Sequence, residues 1–278
     1  MRSLVAAVAT VLLVSLPTPA SAAETPVGEI KGSALAHTPA STAEVVARAD
    51  VALPAAIAGG QIWFGKWKDA PATIGAVPTV LFLHGSSGLS LKAIAEWQRW
   101  LAGLGWASMA PDSFALPDRL TYKSPIGKET YEKLHGFRGS EIDIALAALK
   151  GAAWADPASI VLAGASEGAV PVARRGADGF RARMIFSWSC ETNYFVEDHR
   201  TAIAPEIPVL NVISSVDPFF SPANSWLGNP DAEGHCAAAL ASHKAATIVL
   251  VPGAPHTLLN LPQVRSVTAA FLKDATGK

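Results

Sequence analysis

The chain has little charge, and no stretch of it concentrates charge of one sign. Only 16% of its 278 residues are charged, and the formal net charge is -1. A nucleic-acid partner requires a basic face or stripe, and the sequence contains no tract rich in lysine and arginine. Coiled-coil heptads, internal repeats and a phosphate-binding P-loop are also missing. With 50% hydrophobic residues, the sequence indicates an ordinary globular domain with a sizeable core and no affinity for nucleic acid.

Cysteine is also scarce, because only Cys190 and Cys236 occur. In an exported protein two cysteines meet an oxidising compartment, so we expect one disulfide between them. Two separate reduced thiols are the alternative. A metal site built from His235, Cys236 and His243 is a weaker alternative, because these residues lack a recognised ligand spacing. We therefore expect no metal and no other cofactor.

The apolar run near the N-terminus is too short to cross a bilayer. It covers residues 4–16, follows Arg2, and is succeeded by prolines and the small residues 20–22. This pattern is typical of a secretory signal cut before Ala23. A membrane anchor or a buried helix is the alternative interpretation. The sequence thus predicts a signal peptide at 1–22 and an exported protein, periplasmic or secreted, without a stable membrane anchor.

After the signal, residues 23–49 mix small residues and proline without clear periodicity, and we expect an extended N-terminal arm. The domain proper is predicted at 50–278, where apolar strand-like runs alternate with helical patterns. This alternation predicts an α/β fold with a mostly parallel central sheet and helices on both faces. The predicted strands lie at 51–53, 61–64, 79–83, 106–110, 159–163, 183–188, 208–214 and 247–251.

Two helices have a clear apolar stripe, at 91–104 and 140–149, and in the second we expect Glu141 to face solvent. Residues 113–138 form the longest segment without a regular pattern, and their basic residues outnumber their acidic ones by five to three. Long irregular loops often act as lids, and this one could attract an anionic substrate. A solvated surface excursion is the other interpretation.

The motif Gly164-Ala165-Ser166-Glu167-Gly168 follows the apolar strand-like run 160–163 and precedes a short helix-like segment. A serine on such a sharp strand-to-helix turn exposes its hydroxyl at the top of a sheet, and the small flanking residues let strand and helix approach closely. A serine hydroxyl needs a general base, an orienting carboxylate and donors for the oxyanion to act as a nucleophile. We interpret Ser166 as that nucleophile.

Candidates for the other parts also follow apolar strand-like runs. His256 is the candidate base and Asp217 the candidate acid, with Asp198 and Asp231 as weaker substitutes for Asp217. The chain order of serine, aspartate and histidine is that of the α/β-hydrolase triad and not that of chymotrypsin or subtilisin.

The oxyanion donors are predicted to be two backbone N–H groups. One belongs to Glu167, the residue after the nucleophile, and the other to Ser86 or Ser87 in the glycine- and serine-rich loop after strand 79–83. We expect His84 to support this loop rather than to take part in catalysis. The Glu167 carboxylate is predicted either to tune His256 or to face solvent.

These features together resemble an α/β hydrolase of the dienelactone-hydrolase-like superfamily over about residues 50 to 275. The resemblance rests on the segment 84–88, on 106–113, on the serine motif, and on the placement of Asp217 and His256. Dienelactone hydrolases carry cysteine where this chain has Ser166. The resemblance therefore implies the fold and the triad geometry more strongly than it implies dienelactone as the substrate, and relatives with serine resemble esterases and related acyl hydrolases.

Aromatic residues follow several of the strand ends, and some are expected to line a pocket for an apolar or aromatic group. The candidates are Trp188, Tyr194, Phe219 and Phe220, with Trp226 nearby. Simple packing in the core is the alternative role for each of them.

The sequence thus predicts a serine hydrolase that cleaves a small-molecule acyl substrate, an ester or a related compound. A non-catalytic exported protein that binds a small ligand on the same fold remains an alternative, as do a peptidase and a thioesterase. The physiological substrate and the oligomeric state are left open.

Overall fold

The chain is built around one eight-stranded sheet with helices on both faces. The structure is a computed structural model and describes residues 25–176, 179–197 and 199–277. The predicted signal peptide, 1–22, lies outside the described residues. The strands are β1 (Glu29–Lys31), β2 (Asp50–Leu53), β3 (Trp63–Lys66), β4 (Val77–Leu83), β5 (Ala107–Ala110), β6 (Thr121–Lys123), β7 (Ala155–Ala165), β8 (Ala182–Phe186), β9 (Val209–Ser214) and β10 (Ala246–Val251). The helices are α1 (Pro39–Ala47), α2 (Lys92–Gly103), α3 (Lys128–Lys150), α4 (Ala169–Arg174) and α5 (Pro262–Thr276).

The order of strands in the large sheet is β10-β9-β8-β7-β4-β5-β2-β3. All neighbours from β10 to β5 are parallel, whereas β2 runs antiparallel to both β5 and β3. This arrangement confirms the predicted mostly parallel α/β sheet. Parallel strands place their carboxyl ends on one edge, and in open α/β sheets ligands bind at that edge. The loops after β4, β7, β9 and β10 therefore emerge together.

The two faces of the sheet bury two separate apolar clusters, because successive side chains of a strand point to opposite faces. In β4, Leu81 and Leu83 join the cluster that is covered by α3 and α4. Val80 and Phe82 join the cluster that is covered by α2 and α5. Both sides of the central strands are buried, which explains why they read as continuous apolar runs.

The segment predicted as an extended arm is instead largely folded in the described residues from 25 onward. Helix α1 begins with a capping box in which Thr38 and Ser41 exchange side-chain and backbone hydrogen bonds. Strand β1 pairs antiparallel with β6. His37 lies 3.3 Å from the buried carboxylate of Glu141, which ties this segment to α3. The periodicity was too weak to predict the helix, because its stability comes from its cap and these tertiary contacts.

The segment 113–138 is also more regular than predicted. It contains β6, and α3 begins at Lys128 rather than near 140. The expectation that Glu141 faces solvent is wrong, because its side chain is fully buried. The first half of α3 buries His135 and Arg138 beside its apolar residues, so an apolar stripe alone does not reveal the helix.

The two cysteines form the expected disulfide, Cys190–Cys236, across a sequence separation of 46 residues. On the chain-entropy model, closing a loop of this size stabilises the fold by about 4 kcal/mol. Because the sulfur of Cys236 is bonded to Cys190, it does not serve as a thiolate ligand beside His235 and His243. No helix among the described residues has the length and apolarity that crossing a membrane would require.

Candidate active site

Ser166 occupies a strained turn between β7 and α4. Its φ of +53° lies in the left-handed region, which is unusual for a residue other than glycine. Such conformations persist only where the surroundings impose them, and they cluster at functional sites. A side chain at Gly164 would collide with the backbone of Gly168, and one at Gly168 would collide with the carbonyl of Leu83 in β4. The two glycines therefore permit the turn and its contact with the neighbouring strand.

Asp217 and His256 meet through a short hydrogen bond, with Asp217 Oδ2 2.7 Å from His256 Nδ1. Asp217 follows β9 and is fully buried, while the His256 side chain is 21% exposed. The second carboxylate oxygen, Oδ1, accepts hydrogen bonds from the backbone N–H groups of Phe219 and Phe220 at 3.0 and 3.1 Å. These bonds fix the carboxylate, so the proton on His256 belongs on Nδ1 and Nε2 is left as the acceptor.

Two further contacts hold the histidine in place. Its ring packs edge-on against Phe219, with centroids 4.8 Å apart. Its backbone carbonyl accepts a 2.6 Å hydrogen bond from the hydroxyl of Ser187, which itself has a φ of +53°. Sequence reasoning missed Ser187, because nothing in a strand-end serine indicates that it will bind a loop 69 residues away.

Of the two substitute acids, Asp231 is exposed, and its backbone N–H donates to Asn229. Asp198 lies outside the described residues. Asp217 is thus the acidic residue that the structure brings to His256.

Ser166 and His256 line the same cavity, which has a volume of about 140 Å³. Ser86 and Ser87 line it as well, on the loop that follows β4. The close approach of this loop depends on Gly85, because a Cβ at that position would lie 3.2 Å from the Cβ of Ser166. The predicted nucleophile, base and oxyanion loop therefore surround one space.

The aromatic candidates divide into two groups. Tyr194, Phe219 and Phe220 line the cavity. Trp188 does not belong to its lining, since it is fully buried in the core cluster under α3 and α4. Trp226 packs behind Tyr194, with ring centroids 4.6 Å apart. Strand-end position alone does not separate these roles, because Trp188 and Tyr194 follow the same strand.

The Glu167 side chain neither faces solvent nor contacts His256, so both predictions for its carboxylate are wrong. It is fully buried, and its Oε1 lies 2.6 Å from a guanidinium nitrogen of Arg119. Arg119 also donates to the hydroxyl of Ser113 at 2.7 Å and to the carbonyl of Leu120 at 2.9 Å. The carboxylate next to the predicted nucleophile thus anchors the turn from behind.

A second arginine extends this cluster to the predicted oxyanion loop. Arg138 is fully buried, donates to the backbone carbonyl of His84 at 2.8 Å, and lies within ion-pair distance of Glu141 at 3.0 Å and of Glu167 at 3.4 Å. With Arg119, the cluster holds two positive and two negative side chains, so its charges balance. The signal that could have revealed it is the excess of arginine and lysine in the segment 113–138.

His84 sits at the edge of this cluster and supports the loop. Its Nδ1 is 2.7 Å from the carbonyl of Gly85, and its Nε2 accepts from the backbone N–H of Ser113. Burial, reinforced by the nearby charge of Arg138, holds the pKa of His84 well below its usual value. His84 is therefore neutral, as its acceptor role requires.

We predict that Arg119→Met lowers the free energy of unfolding by about 3 kcal/mol, because it leaves a buried carboxylate with one fewer partner. The double variant Arg119→Met/Glu167→Gln should lose less than the single variant, since it removes the orphaned charge. Urea denaturation measures both. Arg175→Met is a matched control, because its partner Asp143 is 61% exposed and a much smaller loss is expected. Equal losses in the single and double variants would contradict a coupled buried pair.

Comparisons with known proteins identify the fold. No protein-family model matches the sequence, and no curated protein matches it at a significant level. Solved structures do resemble it. One is Est1E from Butyrivibrio proteoclasticus, with a TM-score of 0.52 and 17% identity over 83% of this chain and 94% of that chain. A dienelactone hydrolase-like promiscuous phosphotriesterase from metagenomic libraries has a TM-score of 0.52 and 17% identity over 82% of this chain and 98% of that chain.

A third similar structure is a cold-adapted esterase from an Arctic intertidal metagenomic library, with a TM-score of 0.50 and 14% identity over 82% of this chain and 94% of that chain. Sequence identities this low show only that the fold is shared. The protein has the α/β-hydrolase fold of the kind found in dienelactone hydrolase-like proteins, which confirms the fold that the sequence resemblance implied.

Proposed function

We propose that the protein is a serine hydrolase that cleaves a small carboxylic ester through an acyl-enzyme intermediate. The observation that carries the proposal is the left-handed turn at Ser166, which shares a cavity with His256 while Asp217 holds Nδ1 of that histidine. A protein that only binds a ligand has no need for such a strained serine. The cold-adapted esterase among the similar structures supports ester cleavage.

In the proposed reaction, Nε2 of His256 accepts the proton of Ser166 as Oγ attacks the acyl carbon. The backbone N–H groups of Glu167 and of Ser86 or Ser87 stabilise the oxyanion. The tetrahedral intermediate then collapses, the bond to the alcohol oxygen breaks, and the alcohol leaves with the proton from His256. Water next gives a proton to His256 and attacks the acyl carbon. The carboxylic acid is released, and Ser166 recovers its proton.

Ser166→Ala should lower kcat for a p-nitrophenyl ester by at least about 10,000-fold, because it removes the nucleophile. It should also abolish covalent labelling by a fluorophosphonate, which modifies only an activated serine. Ser266→Ala is a matched control, since this hydroxyl is exposed on α5 and donates to the carbonyl of Pro262. Wild-type turnover in Ser166→Ala would refute the proposal, and a wild-type protein that resists the label would favour the non-catalytic alternative.

Asp217→Asn should lower kcat by about 1,000- to 10,000-fold, because an amide no longer holds His256 in the productive tautomer. The substitution keeps an acceptor for the N–H groups of Phe219 and Phe220, so the fold should remain intact by circular dichroism. Asp231→Asn serves as the control and should retain wild-type kcat, since Asp231 is exposed. A loss of kcat in Asp231→Asn but not in Asp217→Asn would show that Asp231, and not Asp217, is the triad acid.

We also propose that the protein is exported, to the periplasm or the medium. The Cys190–Cys236 disulfide supports an oxidising compartment, and the pattern of residues 1–22 supports a cleaved signal. N-terminal sequencing of the protein from fractionated cells should give Ala23 as the first residue of the exported form. An intact N-terminus in the cytoplasmic fraction alone would overturn this proposal.

A further inference from the structure

The cavity beside Ser166 has the size and the wall of a site for one aromatic ring. Its volume of about 140 Å³ is close to the roughly 150 Å³ of an engineered apolar cavity that holds benzene. Rings and aliphatic side chains form much of the wall, among them Phe82, Ile94, Phe195, Phe219 and Phe220. A single six-membered ring therefore fits this space.

The wall of the cavity contains very few ionisable side chains. Among the described residues, its lining contains His256 but no lysine, arginine, aspartate or glutamate. The basic residues of the segment 113–138, which had suggested an anionic substrate, are largely engaged elsewhere. Arg119 and Arg138 are buried against Glu167. Lys123 and Lys133 lie 3.0 and 2.8 Å from Glu29 and Glu129.

One hydroxyl in the cavity wall is placed to donate a hydrogen bond to a ligand. The backbone N–H of Ile126 donates to the phenol oxygen of Tyr131, and the Tyr131 O–H donates to Ser124 at 2.8 Å. Ser124 also lies beside the phenol of Tyr194, and both residues line the cavity. The Tyr131 proton is thus used inside the wall, whereas Tyr194 borders the space that a ligand would fill.

The other phenol in the wall, that of Tyr122, lies near a negative charge. Tyr122 lies against the Glu167 carboxylate, and burial together with that negative charge raises the pKa of Tyr122 well above its usual value. Burial likewise raises the pKa of Tyr194, so its phenol stays protonated at ordinary pH. Tyr194 is therefore the phenol available to a ligand.

We propose that the cavity binds an uncharged ester carrying a single aromatic ring, and that Tyr194 donates a hydrogen bond to an acceptor group on that ring. This inference rests on the proposed hydrolase function. A ring that carries a carboxylate is excluded because the wall offers that charge no cation, and an unpaired buried charge is costly. The neutral wall thus disfavours anionic substrates, and the Tyr194 hydroxyl distinguishes among neutral ones.

The charge selectivity is tested with methyl 4-carbamoylbenzoate and its near-isostere, the monomethyl ester of terephthalic acid, at about pH 7.5, where the carboxylic acid is ionised. Each kcat/KM is divided by the rate of alkaline hydrolysis of the same ester, which removes their difference in intrinsic reactivity. The corresponding 4-substituted phenyl acetates place the ring on the alcohol side. In the series with the higher kcat/KM, the neutral ester should be preferred by at least about 100-fold. Equal values would overturn the charge selectivity.

The role of Tyr194 is tested with Tyr194→Phe in the same series. The ratio of kcat/KM for the carbamoyl ester to that for the unsubstituted ester should fall by about 10-fold, because only the first ester accepts the hydrogen bond. Trp226→Phe is the matched control. It changes the ring that packs against Tyr194 and keeps the phenol, so its ratio should equal that of the wild type. An unchanged ratio in Tyr194→Phe would refute the donor role.

Fluorophosphonate labelling of each variant separates these failures from a failure of the hydrolase itself. A protein that is labelled at Ser166 and cleaves esters without the expected selectivity would refute the substrate class alone. A protein that is not labelled at all would refute the proposed hydrolase function, on which the substrate class rests.

Discussion

The close approach of Gly168 to the end of β4 is the constraint on which the site depends. With no side chain at Gly168, the turn after β7 lies directly against the carbonyls of Leu83 and His84. This contact places the turn that contains Ser166, the serine turn, beside the loop that begins at Gly85. Ser166 and Ser86 therefore border one cavity. A larger residue at Gly168 would separate the two loops whose N–H groups are predicted to converge on one oxyanion.

A buried charge cluster reinforces the same junction from behind. Arg138 holds the carbonyl of His84, which belongs to the oxyanion loop, while Arg119 holds the carboxylate of Glu167, which belongs to the serine turn. The 3.4 Å approach of Arg138 to Glu167 links the two halves. Burying four charged groups costs considerable desolvation free energy, and it is tolerated here because each charge has a partner. The cluster therefore serves geometry at the site more than it serves stability.

The strands and the serine turn could be predicted because their signals are local. Apolar runs mark strands that are buried on both faces, and glycines around Ser166 mark a tight turn. The excess of basic residues in 113–138 indicates that charges gather there, but most of the pairings in the charge cluster could not be predicted because the partners are remote in sequence. Arg119 and Glu167 are 48 residues apart, and His37 and Glu141 are 104 apart. In the sequence, Glu141 lies on the polar side of a helical pattern. Only the fold shows that it is buried and paired with Arg138 and His37.

The same cluster explains why the cavity is neutral. Arg119, which precedes α3, and Arg138 within α3 donate to backbone carbonyls and pair with glutamates behind the turn at Ser166. Their guanidinium groups therefore do not line the cavity in front of Ser166. What remains in the wall of that space is rings, aliphatic side chains and hydroxyls. Among the described residues, the wall of the cavity therefore offers an anionic substrate neither a lysine nor an arginine. Substrate selection then depends on shape and on the hydrogen bond that Tyr194 can donate.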